Sequence, residues 1–239
     1  MKLLVQFPTL FRPEKFLNCL HSYVQKASRL HEIKFNINCD LYDDLMNNPV
    51  TIDKINSVFS FSENNDMISY ATHFDDNTTK ISSVNAHIED EIFDIVMVAS
   101  DDMIPQVNDW DRHIVDDMEN YFPDLDGCLH YNDGYAGEKL ITLSILGKTL
   151  YDYFGYIYHP DYKSLYCDDE FTQEVKRLNK VKYIDKIIIK HEHYSAKDNS
   201  NSGDFDYSAQ KTLYYSGRDQ LVFNERKSRG FPKERITKD

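Results

Sequence analysis

Two carboxylates side by side at the end of an apolar run carry the strongest chemical signal in the chain. Phe93 to Ala99, interrupted only by Asp94, reads as a buried strand, and Ser100-Asp101-Asp102 follows it directly. Adjacent acids repel each other, and a hard divalent cation relieves the repulsion. Mg2+ or Mn2+ takes carboxylate oxygens and completes its shell with water and a ligand's phosphate. A helix N-cap followed by a first-turn acid is the competing reading. His191 and His193 leave a second short apolar run. Residues two apart in an extended segment point the same way, and one imidazole added to carboxylates favours Mn2+ over an all-oxygen site. Surface histidines at a strand end are the alternative. Asp168-Asp169-Glu170 places three acids between an aromatic stretch and a helix. A carboxylate beside aromatic walls serves as a general base, whereas an acidic first helical turn needs no chemistry at all. Lys80, ahead of a helix, suits a phosphate as a point charge.

These residues need elements that bring them together. Leu3–Phe7, Ile33–Ile37, Met67–Phe74 and Phe93–Ala99 read as strands. Between them lie a helix opened by Pro13, a loop and helix over Asp43–Phe61, and a helix over Ile81–Ile88. Strand–helix alternation implies an α/β fold with a mainly parallel sheet and helices on both faces, whose ligands bind beyond the carboxyl ends of the strands. Thr9, Asp40 and the Asp101-Asp102 pair fall at such ends. The second half is less regular. Cys128–Tyr131, Leu140–Leu146 and Ile187–Ile189 read as strands, with an Asn132-Asp133-Gly134 turn after the first. Tyr151–Tyr166 holds six Tyr, which suit either a sugar platform or a core. Lys197–Gly203 reads as a polar loop, followed by a helix and a basic tail from Glu225.

Composition narrows the partners. The chain has 239 residues, 41% hydrophobic and 28% charged, with a net charge of −13. That is enough for a buried core and disfavours nucleic acid, whose binding rests on clustered Lys and Arg. The four cysteines form no CxxC pair, so structural zinc and a disulfide framework are not expected, and reduced thiols point to the cytoplasm. No stretch approaches the roughly 20 apolar residues of a membrane span. A homo-oligomer is compatible with the sequence.

The residues together resemble the family 2 glycosyltransferases of the GT-A fold. Phe7-Pro8-Thr9-Leu10-Phe11-Arg12-Pro13-Glu14 is similar to the family's first strand and helix, and Asp40 to its acid ending strand two. Lys80-Ile81-Ser82-Ser83-Val84-Asn85 is similar to its basic-residue helix. Ser100-Asp101-Asp102 resembles its DxD-type metal motif, and Asp168-Asp169-Glu170-Phe171 its late acidic motif. The likeness runs over residues 1–195, leaving 196–239 as a C-terminal extension. It implies a Rossmann-like GT-A domain with a nucleotide-binding half at 1–102 and an acceptor and catalytic half at 103–195. It implies donor contacts from Pro8, Thr9, Phe11, Arg12, Asp40, Lys80, Asn85 and Asp101, with Asp40 on a uracil-like base. It implies a metal on Asp102 with His191 or His193, and a base at Asp168 or Asp169. The activity implied is transfer of a sugar from a nucleotide sugar, UDP-linked in expectation, to a glycan or other hydroxyl acceptor with inversion, using Mn2+ or Mg2+. The motif's first position is Ser100 rather than an acid, and register alone leaves the base open among Asp168, Asp169 and Glu170. A nucleotidyltransferase is the alternative enzyme, although no Gly precedes Gly127 to build its phosphate loop. A non-catalytic carbohydrate-binding or degenerate transferase is the other.

Overall fold

A computed structural model describes residues 1–60, 66–76, 79–192 and 207–233. Four strands, β1 (Lys2–Thr9), β2 (Glu32–Asp40), β3 (Ile68–Asp75) and β4 (Ile95–Val98), run parallel in the order β3-β2-β1-β4. They are joined through α1 (Pro13–Gln25), α2 (Pro49–Ser60) and α3 (Lys80–Asn85). The second half adds β5 (Met103–Pro105), α4 (Trp110–Tyr121), β6 (Cys128–Tyr131), β7 (Ile145–Gly147), α5 (Lys148–Phe154), α6 (Cys167–Arg177), β8 (Val181–Ile184), β9 (Ile189–His191) and α7 (Tyr207–Ser228). β7, β6 and β8 extend the sheet beyond β4; β7 is antiparallel to both β4 and β6, while β6 and β8 are parallel. β5 and β9 form a separate antiparallel ribbon. The result is the mixed, mainly parallel α/β sheet expected from the alternation of elements.

Period-two alternation sorts the strands' side chains onto two cores. Val5, Phe7, Phe35, Ile37 and Met97 face α1, α2 and α4, where Phe16, Tyr23, Ile55 and Trp110 are buried. Trp110 meets Tyr23 edge-on at 5.2 Å and donates its indole N–H to the Tyr23 carbonyl at 2.9 Å. Leu4, Val96 and Val98 face the other way, onto Ile81, Val84, Leu150, Phe171 and Val175. The polar face of β2 is buried as well. Asn36 and Asn38 donate their side-chain amides to the carbonyls of His87 (2.9 Å) and Ser83 (3.0 Å). Those bonds dock the short α3 onto the sheet.

Several boundaries differ from the sequence reading, each for a local reason. The apolar run Leu140–Leu146 supplies only the start of β7, because Ile141 N–H is taken by the Thr172 hydroxyl and Thr142 by Asp133. The last strand is Ile189–His191 rather than Ile187–Ile189 and pairs with β5, not with the main sheet. Half of the tyrosines of Tyr151–Tyr166 are core: Tyr151, Tyr158 and Tyr162 are buried, Tyr158 against the Ser144 hydroxyl and Tyr162 on Glu170. All four cysteines are buried and free. Among the described residues no helix is long and apolar enough to cross a membrane. Phe61, the loop Lys197–Gly203 and the tail beyond 233 lie outside the described residues.

The helix α7 is tied to the body by charge. Asp219 accepts the backbone N–H groups of Lys163, Ser164 and Leu165 at 2.7–3.0 Å. Arg226, fully buried, forks onto both oxygens of Glu170 at 2.8 Å and reaches Asp161 at 3.2 Å. Removing one partner of a buried pair strands the other charge and costs about 3–5 kcal/mol. Arg226→Met should therefore lower the unfolding free energy in urea by about that amount, and a loss under about 1 kcal/mol, the range of exposed pairs, would contradict this role.

Candidate active site

The carboxyl ends of β1, β2 and β4 share one edge, and the turns that leave them set the polar groups. Thr9 closes β1, buried, with no hydrogen-bond partner for its hydroxyl among the described residues. Phe11 has a left-handed backbone (φ 56°), and its N–H is received by Asp43 at 2.6 Å. Asp43 also accepts from Met46 N–H at 3.0 Å, and burial raises its carboxyl above the ordinary value against the pull of these bonds. This acid fixes the turn carrying Phe11 and Arg12, and the sequence reading gave it no role. Arg12 then lies 2.9 Å from Asp101, whose side chain is buried. Pro8 sits past the last β1–β4 partner, where its missing N–H removes no bond to β4.

Asp102 and His191 are brought together by the β5–β9 ribbon. β5 starts immediately after Asp102, and Met103 pairs with His191. Glu192 N–H then bonds the Asp102 carbonyl at 2.7 Å. The imidazole consequently lies between two carboxylates: Nε2 is 3.6 Å from Asp102 and Nδ1 is 3.6 Å from Asp133. Asp102 also accepts the Ser100 hydroxyl. Burial alone would lower the His191 pKa, but the two carboxylates outweigh it and hold it up at about 9. Burial would raise both acids, yet His191 with neighbouring donors pulls each well below the ordinary carboxylate range. His193 lies outside the described residues.

The acids of Asp168-Asp169-Glu170 occupy the first turn of α6 and face three ways. Glu170 is held by Arg226 and the Tyr162 hydroxyl, so both of its oxygens are engaged within the protein. Asp169 is raised by burial and by Asp168, and senses Lys227 of α7. Asp168 is raised by burial against the attraction of Lys80 and, more weakly, of His191. Lys80 begins α3, fixed by a reciprocal cap in which Thr79 and Ser82 bond each other's N–H at 3.1 Å. It is exposed and attracts Asp102 as well as Asp168.

Two expected donor residues have other partners here. Asp40 accepts Tyr42 N–H at 3.0 Å and lies 3.8 Å from Lys211 of α7. The Asn85 amide donates to the Tyr158 carbonyl at 2.6 Å and accepts from Ile157 N–H at 3.0 Å, so it holds α3 to the aromatic segment.

The donor set fits a hard cation, with conditions. Neighbouring ligands of a cation bonded at about 2.1 Å stand about 3.0–3.4 Å apart, close to the 3.6 Å between Asp102 Oδ2 and His191 Nε2. Among the described residues no group of three or more His, Cys, Asp or Glu forms a metal cage. One carboxylate and one imidazole therefore leave most of the shell to water and a ligand's phosphates, which is how Mg2+ and Mn2+ are commonly held.

In the metal-free protein, the His191 ring protons followed by NMR should titrate with a midpoint near 9. The folded value exceeds the unfolded 6.5, so this contribution to stability is complete below pH 6.5 and is lost as pH rises through about 9. A midpoint at or under 6.5 would contradict the two-carboxylate setting.

No family profile matches the chain, and no curated protein sequence does. Solved structures do. S. aureus TarS 1-349 superposes with a TM-score of 0.57 at 14% identity, covering 80% of this chain and 60% of that one. The same protein in complex with UDP-GlcNAc gives 0.56 at 13% identity, over 92% and 73%. The mannosyltransferase PcManGT from Pyrobaculum calidifontis, in complex with GDP-Man and Mn2+, gives 0.56 at 11% identity, over 93% and 72%. The chain thus spans three fifths of the length of the TarS fragment in the first of these matches. The fold that this chain shares with these structures is the GT-A, Rossmann-like α/β fold.

Proposed function

We propose that the chain is a metal-dependent family 2-like glycosyltransferase that moves a sugar from a nucleotide sugar, UDP-linked by preference, to an acceptor hydroxyl with inversion. The observation that carries this reading is the pairing of Asp102 with His191 at the carboxyl edge of the sheet, with Lys80 and Asp168 near enough to interact with it by charge. Four carboxylates gather there: Asp101, Asp102, Asp133 and Asp168. Arg12, His191 and Lys80 answer them. A diphosphate adds further negative charge, so its binding calls for an additional cation. The GT-A fold, shared with neighbours in complex with UDP-GlcNAc and with GDP-Man and Mn2+, supports the substrate class.

In this reading Asp102 and His191 would hold Mn2+ or Mg2+, which when bound would offset negative charge on the departing diphosphate. Lys80 meets the same diphosphate from the start of α3. The left-handed turn at Phe11 presents that ring and the Thr9 hydroxyl to the nucleoside, and Arg12 keeps Asp101 in place beside it. Asp40 reaches the base after exchanging its contact with Lys211. Asp168 takes the proton of the acceptor hydroxyl as it attacks the anomeric carbon from the face opposite the leaving group. Its raised pKa brings its basicity closer to the working pH. Glu170 holds α6 against α7 instead. The buried free thiols suit a reducing, cytoplasmic setting.

Hydrolysis of UDP-GlcNAc and of GDP-mannose in the absence of acceptor, with Mn2+ and then with EDTA, tests the donor and metal together. Release of nucleoside diphosphate with Mn2+ alone is expected, and no release from either donor would count against the reading. Once an acceptor is found, Asp168→Asn should lower kcat by about 10²–10⁴-fold while nucleotide affinity is kept. Its wild-type counterpart should lose kcat on the acid side with a midpoint above the ordinary aspartate value of about 3.9. An Asp168→Asn enzyme with full activity would move the base elsewhere.

A further inference from the structure

The structure assigns to Asp133 a positioning role: it orients His191 so that Nε2 addresses the cation beside Asp102. The inference rests on the metal reading of Asp102 and His191 given above. Asp133 stands in the Asn132-Asp133-Gly134 segment after β6, which by composition is an ordinary turn. Its surroundings are not ordinary. The carboxylate is buried, and one oxygen accepts the backbone N–H groups of Tyr135, Ala136 and Gly137 at 2.9, 2.8 and 3.2 Å. The other accepts the Thr142 hydroxyl at 2.5 Å and faces His191 Nδ1 at 3.6 Å. A single acid thus has one oxygen committed to the loop and the second aimed at the imidazole.

The backbone reinforces the alignment. His191 N–H bonds the Asp133 carbonyl at 2.8 Å, while the next N–H bonds the Asp102 carbonyl. Tyr135 packs edge-on against the ring with centroids 5.6 Å apart. The imidazole therefore stands between two carboxylates, with one Asp133 oxygen facing its Nδ1 at 3.6 Å. A histidine that ligates through Nε2 must carry its remaining proton on Nδ1, and an acceptor there selects that tautomer and fixes the ring's orientation. Loss of such an acceptor typically weakens metal affinity by about 10–100-fold.

Asp133→Asn separates this role from a purely structural one. The asparagine oxygen still receives the three loop N–H groups, and the amide replaces the oxygen that faces Nδ1, where the Thr142 hydroxyl can turn to accept from it. Mn2+ binding is measured by EPR with UDP present, and in a parallel series with GDP, for the wild type and Asp133→Asn. The expected result is an Mn2+ dissociation constant raised about 10–100-fold in the variant, with a metal-free protein that still unfolds in one cooperative transition. Equal Mn2+ affinities in the two proteins overturn the inference and leave the metal reading standing. A wild type that binds no Mn2+ with either nucleotide overturns both. Should the variant not fold, the wild type loaded with Mg2+ and UDP decides by nitrogen-15 NMR. A proton on His191 Nδ1 is expected, and a proton on Nε2 overturns the assignment.

Discussion

Like charges repel, and this sheet collects its acids along one edge. Parallel strands send their carboxyl ends the same way, so Asp101 and Asp102 after β4 inevitably come near the other strand ends. What makes the arrangement tolerable is a partner for each acid. Arg12 lies against Asp101, one imidazole serves both Asp102 and Asp133, and Lys80 attracts Asp168. The imidazole is the most consequential of these, because it joins three separate stretches of chain. It arrives on β9, which reaches Asp102 only because β5 pairs with it.

The scaffold around this centre holds the acids by fixing the helices that carry them. α6 presents Asp168 to the site because Glu170, two residues on, is clamped by Arg226 of α7. α7 is in turn tied to the 163–165 segment by Asp219, and the N-terminal turn of α3 bonds the same segment through Ile81 N–H and the Lys163 carbonyl at 3.4 Å. The start of α3, the first turn of α6 and α7 are therefore joined by hydrogen bonds into one unit. α7 passes Asp40, which lies 3.8 Å from Lys211, and grips α6 through Arg226 and Glu170.

Much of this was legible in the sequence where the signal is local. β1 and β4 are continuous apolar runs, β2 alternates apolar and polar residues, and Pro13 marks the start of α1. The acids and the histidine that end these runs stand out because strand ends in such sheets face a ligand cleft. Other parts carry no local signal. β5 is three residues long and ends in a proline, too short to show any period. Asp133 sits in an Asn-Asp-Gly sequence that any turn would use, and its role appears only when His191 returns some sixty residues later. Asp43 looks like one more surface acid, yet it holds the Phe11 turn through a bond spanning 32 positions. The choice among Asp168, Asp169 and Glu170 was equally closed to sequence, since it depends on Arg226 and Lys227 from a helix read only as an extension. Asn85 shows the converse: a motif position whose amide is bonded to the backbone of Ile157 and Tyr158.

The central claim is that one cation, shared by Asp102 and His191, anchors the diphosphate of the donor. Anomalous diffraction at the manganese edge, from crystals of the full chain grown with Mn2+ and UDP, tests it most directly. The account predicts a single strong peak between Asp102 Oδ2 and His191 Nε2 with a phosphate oxygen in its shell. UDP seen at the carboxyl edge of the sheet with no manganese between those two side chains, or manganese bound at other residues, would contradict it.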